Sequence, residues 1–434
     1  MPSQPLSKIG VVGGGQLALM LAEAASELGI DVCVQTPDAD DPAVRRAVEV
    51  VPARLDDGAA TRRLAEACGA ITFENEWVPL ADLAALEDLG IKFVPTLAAL
   101  APLVSKRSQR QLLNRLHLPC PLWCGLEAVL PPRSLAPGLG YEAGFGLQQR
   151  PLADTSAPYW ATDRPGAAAL PPGFRFPLMA KACRGGYDGK GTVPIPDQEA
   201  LETLVGQVLP SDWILEEMVA FEQELALVAC RDHSGSVACF PLVQTHQHQQ
   251  VCDWVLQPAA VSHAVEALAR NVAASLLTEL DYVGVLAIEF FYGPAGLQVN
   301  ELAPRTHNSG HVTIEACRCS QFSQQARLVA GLPMGSSEAV VPAALMVNLL
   351  GTDPILEPEE LEARLAALAS LPGAHLHWYD KRHCTPGRKL GHLTLVLQSA
   401  SAAGRLEERD RMLLRIRQIW PLPAAPQRPA EALQ

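Results

Sequence analysis

The sequence has no CxxC pair, although it contains eleven cysteines. Cys317 and Cys319 stand two apart, a poor spacing for a zinc knuckle. An odd, scattered set reads as small buried thiols in a reducing compartment. The chain also lacks an uninterrupted apolar run long enough to span a bilayer. Its start, Met1-Pro-Ser-Gln-Pro, has one lysine before a strand and no signal-peptide hydrophobic region. The expectation is a cytoplasmic protein. Positive charge is scarce: 34 Lys and Arg against 47 Asp and Glu leave a formal net charge of −13. Such a chain is poorly suited to wrapping nucleic acid or lying on an anionic membrane. A small anionic substrate would need a local basic pocket.

What is present is core-forming material. Of 434 residues, 48% are hydrophobic, enough for two or three domains with sizeable cores. Residues 8–94 alternate strand-like runs (Ile9–Val12, Asp31–Gln35, Val48–Val51, Ala70–Phe73, Lys92–Val94) with helix-like runs (Gln16–Leu28, Ala59–Cys68, Pro79–Leu89). That alternation predicts a parallel sheet with helices on its faces. A helix is expected from Lys106 to Leu116. The stretch 125–176 holds eight Pro and seven Gly and reads as a long loop or insertion. Pattern returns with a strand over Phe176–Ala182, helices near 197–209 and 260–279, and a β-hairpin within Asp281–Leu302. Strands follow near 345–350, 374–379 and 391–398. A charged, helical stretch comes after about 400, then a Pro/Ala-rich end.

Six segments carry chemistry. Gly13-Gly14-Gly15-Gln16-Leu17-Ala18 fits G-x-G-x-x-[GA] between a strand and a helix, where backbone N–H groups can hold an anion. The second strand ends Val34-Gln35-Thr36 without the acidic residue a nicotinamide dinucleotide needs. A phosphate or small-substrate contact is therefore favoured over a dinucleotide or a purely structural turn. Lys181 followed by Cys183-Arg-Gly-Gly-Tyr-Asp-Gly-Lys-Gly191 places two basic residues on a loop with four glycines. This is not a Walker A sequence, but its glycines allow close backbone approach to phosphate. Trp213–Val219 is an apolar strand interrupted by Glu216 and Glu217, with Glu222 and Glu224 just beyond. Those carboxylates could read an adenine edge and ribose hydroxyls, or simply end a solvated strand.

In the hairpin, a turn centred on Pro294-Ala295 pairs residues whose numbers sum to about 589, so Glu289 is expected to face Asn300, with Glu301 adjacent and the register open by one residue. Facing Cβ atoms lie roughly 5 Å apart. Two carboxylates in an apolar hairpin are costly without a positive partner. Mg²⁺ suits them, and a salt bridge to Arg305 is the plainer alternative. Ala303-Pro-Arg-Thr-His-Asn-Ser-Gly-His311 is dense in hydrogen-bonding groups and favours a substrate role. Trp378–His383 and Pro386–Lys389 flank a turn and form a basic cluster, either solvated or a phosphate anchor.

Taken together, these residues resemble the 5-(carboxyamino)imidazole ribonucleotide synthase family, ATP-grasp carboxylases of bacterial and fungal purine synthesis. The likeness runs from Lys8 to about Val396. It rests on Ile9–Leu17, Thr72-Phe-Glu-Asn-Glu-Trp-Val-Pro79, Arg184–Gly191, Asn300–Arg305 with His307–His311, and Pro386-Gly-Arg-Lys-Leu-Gly-His392. The resemblance implies a Rossmann-like N-terminal domain (1–104), an ATP-grasp domain (105–335, with the insertion at about 125–176), a small β-rich C-terminal domain (336–400) and a tail (401–434). It also implies ATP and Mg²⁺ as cofactors, 5-aminoimidazole ribonucleotide and bicarbonate as substrates, and a homodimer without nucleic-acid or membrane partners.

By matched position, Lys106, Lys181, Tyr187, Asp188, Gly189, Lys190, Gly191, Glu216, Glu217, Val219, Glu224, His246, Asn300 and Glu301 would bind ATP. Glu289 and Glu301 would bind Mg²⁺. Gln16, Glu74, Tyr187, Lys190, His307, Asn308, Lys381 and Arg388 would hold the ribonucleotide. Asp188, Lys190, Arg305 and His307 would be catalytic. Some matches depart from the family. Trp77 stands where Asn is usual, which bears on Glu74 and Glu76. Gln244–Gln250 replaces a His-Arg-Asp-Gly-like segment and leaves His246 and Gln247 both open for its ATP contact. The alternatives are a formate-using glycinamide ribonucleotide transformylase, a nicotinamide-dependent oxidoreductase and a non-catalytic ATP-binding protein.

Overall fold

The computed structural model describes residues 5–130, 168–186, 189–352 and 355–423. Tyr187, Asp188 and most of the 125–176 stretch therefore lie outside the described residues. The chain divides into two compact units. The larger contains residues up to Cys120 and from Val219 onward, and the smaller contains Pro121–Gly186 and Lys190–Met218.

The larger unit begins with strands β1 (Lys8–Val12), β2 (Asp31–Thr36), β3 (Glu49–Pro52) and β4 (Ile71–Phe73). They form a parallel sheet in the order β3-β2-β1-β4. Helices α1 (Gln16–Glu27), α2 (Gly58–Ala67) and α3 (Leu80–Asp88) alternate with them. Ile9, Val11, Val32 and Val34 are buried in one apolar cluster with α1, while Val12, Cys33 and Val51 join a second with Leu64 of α2. A period of two with both faces covered is what a buried parallel sheet requires. The strand expected at Lys92–Val94 reduces to a single bridge, Ile71 to Phe93; Pro95 follows and cannot donate to a ladder. Next come α4 (Leu97–Leu100) and α5 (Lys106–Arg115).

The smaller unit is an antiparallel sheet of β5 (Trp123–Gly125), β6 (Leu178–Ala182), β7 (Thr192–Ile195) and β8 (Trp213–Glu217), ordered β5-β8-β6-β7. Leu178, Ala180, Ile195 and Leu215 pack against Leu201 and Leu204 of α6 (Gln198–Gln207). Asp197 caps that helix, accepting a hydrogen bond from the Ala200 N–H at 2.9 Å. Alternation along β6 then turns Met179 and Lys181 to the face away from this core.

In the larger unit, strands β9 (Gln223–Arg231), β10 (Val237–Cys239), β11 (Val243–His248), β12 (Val251–Gln257), β13 (Gly284–Gly293), β14 (Gly296–Ala303), β15 (Ala343–Leu350), β16 (Ala374–Trp378) and β17 (Lys389–Leu397) share one antiparallel sheet. Its order is β14-β13-β9-β11-β12-β15-β17-β16, with β10 on β9. Leu225, Leu227, Leu286 and Ile288 pack on α7 (His263–Glu279). Ala226, Val228, Val285 and Ala287 face the other way and meet Ala316 of α8 (Thr313–Ala316) and Leu328 of α9 (Gln321–Val329).

The strands expected as a last small unit continue this sheet through Trp254 opposite Val347. They carry their own apolar cluster of Leu345, Leu393, Leu368 of α10 (Pro358–Ala369), and Met412 and Ile416 of α11 (Ala402–Ile419). The charged stretch after 400 is thus a helix docked by one apolar stripe. Helix α10 was not anticipated, although Pro358 in its first turn with Glu359 and Glu360 is a helix-start signal. Among the described residues, no helix is long and apolar enough to cross a membrane.

Candidate active site

The hairpin β13–β14 closes through Pro294-Ala295 as expected, with Gly293 opposite Gly296. Pairing holds the expected register as far as Phe290 opposite Val299. It then shifts by one residue, so that Glu289 faces Glu301. Asn300 is the extra residue of a β-bulge. Of the two registers the turn leaves open, Glu289 thus takes the one that faces Glu301, while Asn300 Nδ2 still approaches Glu289 Oε2 at 3.5 Å.

Strand β9 pairs Ala226 with Glu289 and Glu224 with Phe291. Alternation therefore brings Glu224 to the same face as Glu289. Burial first, and then the charges of Glu301 and Glu224, push the Glu289 carboxyl up to about 7. Burial pushes Glu224 to about 7 as well. Lys106 Nζ lies 2.6 Å from Glu301 Oε1, and His307 Nε2 lies 3.5 Å from Glu289 Oε1. Arg305 instead pairs with Glu76 at 2.7 Å, so the plainer alternative for the hairpin carboxylates does not hold. Two facing carboxylates with oxygen-only donors fit a hard divalent cation that also takes phosphate oxygens.

The His307 ring is oriented by Ser309, whose Oγ lies 2.9 Å from Nδ1. Its backbone is clamped by Gln321. Gln321 Oε1 accepts from the His307 N–H at 2.9 Å, and Nε2 donates to the His307 carbonyl at 2.7 Å. Sequence reasoning missed Gln321, because it lies on α9, which was not anticipated. Asn308 sits deeper than His307. Its amide donates to Asn348 Oδ1 at 3.0 Å and accepts from Asn348 Nδ2 at 2.8 Å, and the residue is buried. The side chain is tied into the framework under His307. Asn308→Ala is expected to lose about 1–3 kcal/mol of stability by orphaning Asn348. Chemical denaturation checks this, and unchanged stability would contradict the assignment.

The N–H groups of the glycine-rich turn are taken by the protein's own carboxyl, whose pKa burial pushes up. Glu74, at the end of β4, accepts from the N–H groups of Gly15 at 2.7 Å, Leu17 at 3.1 Å and Ala18 at 3.3 Å. The donors at which a phosphate or small-substrate contact is expected are therefore taken by the carboxyl of Glu74, itself a predicted substrate contact. The glycines are there for close approach. A Cβ on Gly13 would sit 2.3 Å from Glu74 Cβ, at a backbone φ of +131°. Gly13→Ala should therefore destabilise the protein by at least about 2 kcal/mol. A thermal melt reads this, and a parental midpoint would refute it.

Lys381 meets Gln16, another residue predicted to hold substrate. Its Nζ donates to Gln16 Oε1 at 2.5 Å and to the Lys389 carbonyl at 2.7 Å, and lies 5.3 Å from the Tyr379 ring centre. The turn bearing Lys381 is tied down on both sides by Arg45 with Asp380 at 3.2 Å and by Arg382 with Asp40. Arg388 is exposed and donates to the His383 carbonyl at 3.2 Å. His246 stacks on Trp254 with ring centres 5.2 Å apart, and its Nδ1 is 3.6 Å from Asp253. Gln247 follows at a register shift between β11 and β12. Val219 is half-buried, and Gly189, at φ +77°, abuts Gln250.

In the smaller unit, β6 pairs Lys181 with Ile214 and Met179 with Glu216 of β8. Lys181 and Glu216 are diagonal neighbours on one face, close enough for long side chains. They form an ion pair at 2.7 Å with Glu216 only 2% exposed. The Glu216 carboxylate is thus engaged with Lys181, so both predicted nucleotide contacts meet on one face of the sheet. Glu217 is exposed and accepts from the Leu122 N–H at 3.0 Å. Lys190 and Gly191 lie in the turn leading into β7, where the Gly191 carbonyl accepts from the Ala182 N–H at 2.8 Å.

Comparison with known proteins gives this geometry a family. Residues 6–103 match the ribonucleotide synthetase pre-ATP-grasp domain, 154–322 the ATP-grasp domain, and 344–405 the phosphoribosylaminoimidazole carboxylase C-terminal domain. The N5-carboxyaminoimidazole ribonucleotide synthase of Synechococcus elongatus is 44% identical over 98% of each chain. The crystal structure of the synthetase from Thermus thermophilus is 31% identical, with a TM-score of 0.75 over 97% of this chain and 100% of that one. That of the Aspergillus clavatus synthase complexed with ATP is 26% identical, with a TM-score of 0.76 over 96% of this chain and 99% of that one. The chain belongs to the N5-carboxyaminoimidazole ribonucleotide synthase family and is an ATP-grasp ligase.

Proposed function

We propose that this ligase carboxylates the 5-amino nitrogen of 5-aminoimidazole ribonucleotide with bicarbonate, driven by ATP hydrolysis to ADP and phosphate, in de novo purine synthesis. The observation that carries this reading is the pairing of Glu289 with Glu301 beside Lys106 and His307. A relative crystallised with ATP supports the nucleotide. Glu289 and Glu301 hold Mg²⁺, which when bound neutralises phosphate charge during transfer. Lys106, Lys181 and the 187–191 loop neutralise the ATP phosphates, while Glu224 and the backbone near Glu216, Glu217 and Val219 take the nucleoside.

Phosphoryl transfer to a bicarbonate oxygen gives carboxyphosphate. The substrate amine then forms the N–C bond as phosphate leaves and the nitrogen loses a proton. Arg305 and His307 stabilise the anionic intermediate. Asp188 and Lys190 align the amine, and Lys381 with Gln16 and Arg388 anchors the ribonucleotide phosphate. Catalysis of this kind is positioning and charge neutralisation. The same reading makes the protein a cytoplasmic homodimer.

An ADP-release assay tests it. ADP should form with the aminoimidazole ribonucleotide plus bicarbonate. Turnover only with glycinamide ribonucleotide plus formate would replace this reading by the transformylase, which the matched C-terminal domain disfavours.

A further inference from the structure

We infer that Arg110 is a positioning residue for the metal-binding carboxylates, acting through the β-bulge at Asn300. The inference rests on the reading of Glu289 and Glu301 as the Mg²⁺ pair. Among the described residues, strand β14 is the edge of its sheet and pairs with β13 alone. Its outer backbone edge is covered by α5 and the segment after it. Arg110 Nη2 donates to the Asn300 carbonyl at 2.6 Å. Gln109 accepts from the Leu302 N–H at 3.1 Å and donates to the Leu302 carbonyl at 2.9 Å. The Val299 N–H reaches the Pro119 carbonyl at 2.8 Å.

Both α5 side chains are almost fully buried, Gln109 at 4% and Arg110 at 1% exposed. Lys106, one turn earlier on the same helix, meets the Glu301 carboxylate at 2.6 Å. The spacing Lys106, Gln109, Arg110 (i, i+3, i+4) puts all three on one helical face. That face therefore grips the backbone on either side of Glu301 and the side chain of Glu301 itself.

The grip matters because the bulge decides which way Glu301 points. Without the extra residue the regular register would continue, with Asn300 opposite Glu289 and Glu301 opposite Ile288. A one-residue slip reverses every side chain beyond it. Glu301 would then point into the apolar cluster that contains Ile288 and Leu302. A bulged residue leaves the ladder locally unpaired. The charge-assisted bond from a buried guanidinium to the Asn300 carbonyl holds that irregular backbone in place.

The test is Mn²⁺ binding to the full chain in the presence of ADP, followed by electron paramagnetic resonance, with thermal unfolding of the metal-free protein measured separately. Arg110→Met should weaken Mn²⁺ binding about tenfold, as removing the outer support of a metal ligand does. Arg110→Lys should recover part of the loss. A residue that serves only the fold would lower the unfolding midpoint and leave Mn²⁺ affinity alone. A change below threefold in folded Arg110→Met therefore overturns the inference. If that variant does not fold, Arg110→Gln, too short to reach the carbonyl, is judged by the same threshold. Glu289→Gln in the same titration tests the underlying reading: parental Mn²⁺ binding there would remove the metal site itself, whatever Arg110 does.

Discussion

Glu289→Gln is expected to lower turnover at least a hundredfold, about 3 kcal/mol of barrier, while making the metal-free protein more stable above pH 7. The two effects share a cause. Burial and the facing Glu301 raise the Glu289 carboxyl to about 7, against an ordinary glutamate value near 4.3. Between those values the folded state holds a proton that the unfolded chain has released. The folded state binds more protons, so stability falls as pH rises from about 4.5 to about 7 and is level above. Glutamine stays neutral throughout and removes that fall. The variant should melt roughly 3 °C above the parent at pH 8, with the gap closing toward pH 4.5. Glu224, raised for the same reason, behaves with the same sign. Melts of both proteins without metal across this range, with kcat at saturating Mg²⁺, check it. A variant less stable than the parent at pH 8, or one that keeps parental turnover, would show that Glu289 is not a strained carboxylate awaiting a cation.

Lys381→Ala should raise the KM for the ribonucleotide 10- to 100-fold, leaving the KM for ATP unchanged and kcat less affected. A charge-assisted bond to a phosphate contributes roughly 1.5–3 kcal/mol, and binding made equally in ground and transition states appears in KM. The ammonium is pre-positioned by Gln16, the Lys389 carbonyl and the Tyr379 ring. The turn carrying it is held by the Arg45–Asp380 and Arg382–Asp40 pairs. Little ordering is then needed when a phosphate arrives. Steady-state kinetics with each substrate varied separately reads the effect. A lower melting point with an unchanged ribonucleotide KM would make Lys381 a structural tie between the turn and Gln16.

The parallel N-terminal sheet and the hairpin could be read from the chain because their signals are local: alternating apolar runs, a Gly-Gly-Gly turn, Pro294-Ala295 between two strands. The chain is silent where a distant residue decides the outcome. The N–H groups of the Gly13–Gly15 turn are legible as donors, but the carboxyl that takes them, Glu74, lies 59 positions from Gly15. The one-residue shift beside Glu301 depends on Arg110, 190 positions from Asn300, and no periodicity within the hairpin encodes it. Glu216 was visible as a carboxylate in a strand. Its partner Lys181 follows only once β6 and β8 are known to run antiparallel in register. Asn308 reads as a substrate contact from its matched position, and only the fold shows its amide paired with Asn348 of β15. Polar residues were found where they stand; which of them serve one another was fixed by the fold.

The central claim is that ATP hydrolysis here is coupled to forming a nitrogen–carbon bond on the aminoimidazole ribonucleotide. Carbon-13 NMR with labelled bicarbonate measures it directly. The prediction is a labelled carbamate carbon on the exocyclic nitrogen, formed one for one with ADP and absent without the ribonucleotide. ADP released with no label on the ribonucleotide, or label on a ring carbon, would contradict it.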